Sequence, residues 1–259
     1  MAESQKKASR NTAKLHPAIA SQDPSDRVLD SAFWLQFGDD PEPSTRQKMI
    51  FVTLDDVSRV GPSTFNAGEM TQALGVAYSL VNFHFGSRDE LLAETMRFMY
   101  TDYVQDVWAT VSAAKRTPEI RLRTWIEAVA NKAGQLGGWG AVINYPTASL
   151  EISGLIADKY GQEMVDLAEL NLARVMMLIK DLKQGSVSEK EPELGKVSSV
   201  SLLKNPARTA EAVSVMMSTN GLAVWRGGRS ATEIARQKTI EKLLTKTHVN
   251  RIMDSLITG

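Results

Sequence analysis

The sequence predicts an all-α protein, with an N-terminal three-helix unit of helix-turn-helix type and a larger helical domain behind it. Three observations carry that expectation. From Ser44 onward apolar residues recur at helical spacing, and no convincing alternating strand interrupts them. Helix start signals are frequent: Asn66-Ala67-Gly68-Glu69, Ser87-Arg88-Asp89-Glu90 and Ser230-Ala231-Thr232-Glu233 are capping boxes, and Thr117-Pro118 and Asn205-Pro206 place a cap before a first-turn proline. Residues 66–85 read as two short helices joined at Gly75, a residue free to take the left-handed turn.

Taken in order, residues 1–43 form a basic arm and a short extra helix. Ser4–Ala20 contains Lys6, Lys7, Arg10 and Lys14 without one acidic residue, and too little apolar surface to offset the entropy of ordering. The arm is expected to be mobile when free. Two readings stay open for it: a solvated tail, or a segment in which Lys6, Lys7 and Arg10 meet DNA phosphates or a minor groove. Val28, Leu29, Ala32, Phe33 and Leu35 suggest the extra helix, and Gly38-Asp39-Asp40-Pro41-Glu42-Pro43 ends it.

Helices are then expected at 45–60, 67–73, 77–84, 88–114, 118–136, 146–158, 161–184, 206–226 and 231–257. Leu92, Met96, Met99, Tyr103 and Val107 make one apolar stripe; Met164, Leu167, Val175, Leu178 and Leu182 make another. Gly185–Asn205, rich in Ser, Lys and Glu, reads as a long mobile loop.

Composition narrows the chemistry. The chain has 259 residues, 30 basic and 30 acidic side chains and no cysteine, which excludes disulfides, thiolate metal sites and a Cys nucleophile. No run approaches the roughly 20 apolar residues that span a bilayer, and the first residues lack the apolar core of a signal peptide, so a cytoplasmic protein without membrane contact is expected. His16, His84 and His248 are far apart. Gly195-Lys196 lacks the upstream glycine of a phosphate loop, and Gly134–Gly140 follows a helix where a dinucleotide site needs a strand. Neither an enzyme nor a cofactor or metal is expected.

The run Gly75-Val76-Ala77-Tyr78-Ser79-Leu80-Val81-Asn82-Phe83-His84-Phe85-Gly86-Ser87-Arg88-Asp89-Glu90-Leu91-Leu92 resembles the TetR family of bacterial transcriptional regulators. The resemblance covers roughly Arg46–Leu92 and implies a DNA-binding domain at 44–92 and a ligand-binding and dimerisation domain at 93–259. Ala77, Tyr78 and Ser79 open the recognition helix, where side chains reach base edges. Asn82 and Arg88 are carried over from the family pattern as phosphate contacts. Asn66 caps its helix and is also placed to meet a phosphate; His84 is expected to be packed or phosphate-facing. Against this, residues 44–92 carry Arg46, Lys48, Arg59 and Arg88 but also Asp55, Asp56, Glu69, Asp89 and Glu90, a net charge of −1.

The resemblance further implies an inducer cavity near Trp108, Trp125, Trp139, Tyr145, Met164, Met176 and Met177, adaptable side chains with no concentrated charge among them, which favours a small apolar effector. The helices at 206–226 and 231–257 would pair with their symmetry mates in a homodimer, the first through Ser214, Ser218, Gly221 and Ala223 beside Val213, Met217 and Leu222, the second through Ile240, Leu243, Leu244, Met253 and Leu256. The expected function is a ligand-responsive regulator, a repressor on a palindromic double-stranded operator. The alternative is a helical small-molecule sensor or carrier with a degenerate DNA-binding domain.

Overall fold

The computed structural model describes residues 43–60, 62–114, 116–135, 150–227 and 238–258. Among them every regular element is a helix: α1 (Thr45–Val60), α2 (Ala67–Ala73), α3 (Ser79–Phe85), α4 (Arg88–Ala113), α5 (Pro118–Gln135), α6 (Leu150–Gln184), α7 (Ser199–Leu203), α8 (Pro206–Gly227) and α9 (Lys238–Thr258). The arm at 1–42, with Lys6, Lys7 and Arg10, lies outside the described residues, as do Trp139 and Tyr145.

Local chemistry sets the starts. Asn66 Oδ1 accepts from the Gly68 and Glu69 amides at 2.9 and 3.3 Å, satisfying two donors that α2 cannot satisfy itself. The Ser87 hydroxyl accepts from the Glu90 amide at 3.1 Å and opens α4. Gly75, at φ +66°, makes the turn between α2 and α3, a backbone state that costs a side-chain-bearing residue about 1 kcal/mol or more.

α1, α3, α5 and α6 all pack against α4, and α8 lies on α5 and α6. One apolar cluster runs unbroken from Met49 in α1 to Leu256 in α9. The expected domain boundary after Leu92 therefore falls inside α4, at Leu91-Leu92-Ala93, where all three side chains are fully buried.

Three local expectations change. The helices foreseen at 146–158 and 161–184 are one, α6, running through Tyr160-Gly161. A mid-helix glycine costs about 1 kcal/mol; buried Ile152, Ile156, Leu167, Leu170, Val175 and Leu178 along the same helix outweigh that. The 185–205 stretch is a structured connection. Gly185 and Gly195 turn it at positive φ, Asp181 accepts from the Ser188 amide and hydroxyl at 3.0 and 2.5 Å, and Ser198 caps the short helix α7. Finally, Met253 and Leu256, assigned to a dimer stripe, are 2% and 5% exposed within the protomer's own core; Ile240, Leu243 and Leu244 have no described side-chain environment.

Candidate nucleic-acid interface

α3 has two faces. Val81 and Phe85 are buried against the core, while Tyr78, Ser79, Asn82 and Phe83 are exposed on the other side, with Ala77 just ahead of them. Positions 79, 82 and 83 lie on one helical face, so this is one continuous surface. The helix begins at Ser79, two residues later than the spacing suggests, because Ala77 and Tyr78 form the turn that leads into it. Phe83 is 79% exposed, the most uncovered aromatic among the described residues. Sequence reasoning missed it: beside His84 and Phe85 it reads as part of an aromatic core segment, and only the helical phase separates it from Phe85. His84 is half-buried, edge-on to Phe83 at 5.0 Å and to Phe85 at 6.2 Å. Among the described residues no group of His, Asp or Glu is clustered as a metal site.

Two basic residues of this unit, Arg88 and Arg46, are engaged with partners inside the protein. Arg88 donates from Nη2 to the carbonyls of Pro62 and Phe65 at 2.8 and 3.1 Å, and from Nη1 to Asp89 at 2.7 Å. Its guanidinium also lies over the Phe65 ring, 5.7 Å from the centroid. Arg88 thus clamps the loop before α2, a role the sequence conceals because its partners are backbone carbonyls more than twenty residues away. Arg46 sits over the Phe85 ring and pairs with Glu94. Asn66 spends its side-chain oxygen on the α2 cap and its amide on Glu69.

No family model matches the chain. A curated relative, the HTH-type transcriptional regulator BetI of Paraburkholderia phymatum, is 31% identical over 87 residues, which cover 32% of this chain and 42% of that one. The chain thus matches less than half the length of that relative. Two solved structures share the fold: a proposed transcriptional regulator of Pseudomonas aeruginosa PAO1 (TM-score 0.55, 17% identity, covering 84% of this chain and 94% of that one) and one of Rhodococcus sp. RHA1 (0.52, 12%, 82% and 94%). The chain has a TetR-like fold.

In this TetR-like frame α4 joins the two ends. Glu94, on α4 and nearly buried, pairs with Arg46 of α1 and accepts from the Tyr160 hydroxyl of α6 at 3.4 Å. Burial, then the Glu94 charge, push the Tyr160 phenol above its usual range, which keeps it the donor. Lys159–Glu90 at 2.7 Å and Arg97–Glu163 at 2.7 Å continue the seam between α4 and α6.

Farther from α3, the residues assigned to an inducer cavity separate. Trp125 is 1% exposed in the core and Met164 packs half-buried against that core; neither is among the residues that line the cleft at Met176 and Met177. Met176 and Met177 do, in a cleft of about 890 Å³ bounded by Lys180, residues 188–193 and Arg208. Trp108 is buried beside Arg121, Arg174 and Glu191. The expectation of a charge-free surround is corrected by these groups, which come from distant stretches and form no cluster in the sequence. No helix of the described residues is long and apolar enough to cross a membrane.

Proposed function

We propose that the protein is a DNA-binding transcriptional regulator, a repressor acting as a homodimer on a palindromic operator and released by a small molecule. The observation that carries this is α3: a short helix held by Val81 and Phe85, with Tyr78, Ser79, Asn82 and Phe83 left uncovered on its opposite face. A helix so presented fits a major groove about 12 Å wide. Tyr78 and Ser79 are the base-reading candidates, Asn82 and His84 the phosphate-facing ones, and Phe83 adds an apolar contact for a thymine methyl or a sugar. With Arg46 and Arg88 engaged internally, the basic arm is the natural source of the phosphate-neutralising charge.

Homodimerisation is supported by the outer face of α8. Val213, Ser214, Met217, Ser218 and Gly221 are exposed along one stripe, with Met217 at 70%. Two-fold pairing would set two α3 helices against half-sites roughly 34–36 Å apart.

The test is a fluorescence-anisotropy titration of the full chain with DNA from upstream of its own gene, against scrambled DNA of equal length. A regulator binds the first at least about a thousandfold more tightly at physiological salt; equal affinities overturn the reading. That second outcome supports the sensor or carrier alternative, which the inward-turned Arg46 and Arg88 favour.

A further inference from the structure

Beneath the 185–197 segment, charged side chains from three parts of the fold meet around one indole. Arg121 of α5, with a side chain 3% exposed, donates from Nη2 to Glu191 Oε1 at 2.5 Å. Trp108 Nε1 of α4 donates to the other oxygen of Glu191 at 3.1 Å. The guanidiniums of Arg121 and Arg174 lie against the Trp108 ring, 5.7 and 4.5 Å from its centroid. Asp181, 1% exposed, is 3.8 Å from Arg121 Nη1 and is held by Ser188. Two donors here, Arg121 Nη1 and Arg174 Nε, are buried without a hydrogen bond.

Two cations and two anions balance in this box, but they are not equivalent. Asp181 belongs to a rigid helix. Glu191 arrives on a connection between helices and also forms one wall of the cleft, whose floor is Met176 and Met177. Taking Glu191 away leaves an uncompensated buried positive charge, which is strongly disfavoured. A second carboxylate with an apolar body would restore the balance and lie along the methionines, which conform readily to irregular shapes. The cleft volume is within the usual range for small-molecule sites.

We propose that this box is the binding site for an amphipathic monocarboxylate, with Glu191 as its built-in competitor. The ligand's carboxylate takes the hydrogen bonds of Arg121 Nη2 and Trp108 Nε1, its apolar part covers Met176 and Met177, and the 185–197 segment is displaced. This rests on the reading of the helical domain as ligand-responsive and names the class of ligand.

The test uses the full chain with octanoate and decanoate as probes and the corresponding amides as neutral controls, followed by calorimetry. The carboxylates bind and the amides do not. Glu191→Gln, which keeps the size but weakens the internal competitor, binds the carboxylates at least about tenfold more tightly than wild type. Trp108→Phe, which keeps an aromatic ring and loses the N–H, binds them at least about threefold more weakly. Hydrogen exchange in 185–197 rises when octanoate is added to wild type. Equal affinity of wild type and Glu191→Gln, binding of amides as tight as that of acids, or no carboxylate binding to Glu191→Gln overturns the proposal. Anisotropy with DNA, run on the same samples, separates the two readings. Operator binding without carboxylate binding removes this site and leaves the regulator; carboxylate binding without operator binding supports the site and removes the regulator.

Discussion

Replacing Arg88 with alanine distinguishes a clamp from a DNA contact. The substitution removes the donors to the Pro62 and Phe65 carbonyls at 2.8, 3.1 and 3.3 Å and the guanidinium lying over the Phe65 ring. A hydrogen bond from a charged donor contributes about 1.5–3 kcal/mol. Because the Arg88 side chain is 35% exposed, water replaces part of what is removed, and the Asp89 pair at the surface adds at most about 0.5 kcal/mol. The summed cost is about 1.5–3 kcal/mol, equivalent to roughly 3–10 °C in Tm for a chain of this size. Scanning calorimetry of the free protein measures it. Arg88→Lys should recover little, since an ammonium cannot span two carbonyls with a planar fork. The reasoning fails if Arg88→Ala melts like wild type while the slope of log K against log salt for DNA flattens by about 0.9, the signature of one phosphate fewer neutralised.

Asn66→Ala should cost about 1 kcal/mol in urea unfolding through loss of the α2 cap, with Asn66→Asp close to wild type. Phe83→Ala should leave Tm within about 1 °C, because the side chain is 79% exposed, yet weaken operator binding by on the order of 1 kcal/mol in anisotropy titrations. Glu94→Gln removes a nearly buried charge that faces Arg46, and should lower stability by about 1–3 kcal/mol, read by calorimetry. Deleting residues 1–20 should flatten the salt dependence of DNA binding by about 0.9 for each phosphate the arm neutralises, without changing Tm; an unchanged slope returns the arm to a solvated tail.

Local chemistry was legible where a few adjacent residues determine the outcome. Asn66, Ser87, Pro118 and Pro206 mark helix starts because the cap and its amides are neighbours in the chain. Ser198 was missed because α7 is a single turn with no apolar period to announce it. Gly161 misled, since propensity is outweighed by the packing of a long helix. The apolar residues of α9 show another limit: spacing places Met253 and Leu256 on a stripe, but cannot say whether that stripe meets its own chain or a second one. The charged box is the least legible feature, since Trp108, Arg121, Arg174, Asp181 and Glu191 become neighbours only through tertiary packing.

The continuity of α4 has a mechanical consequence. A helix of 26 residues is about 39 Å long at 1.5 Å per residue. It begins beside α3 and reaches Trp108 near its far end, so one continuous helix links the two regions, with the Glu94 junction in its first half. Tilting such a rod by about 5° about one end carries the other end roughly 3 Å. In a two-fold pair the displacements of the two rods would add, changing the distance between the α3 helices by several ångströms against a half-site spacing of roughly 34–36 Å. A change of loop position at one end of the molecule, too small to disturb its core, would thus be enough to put two grooves out of reach at the other.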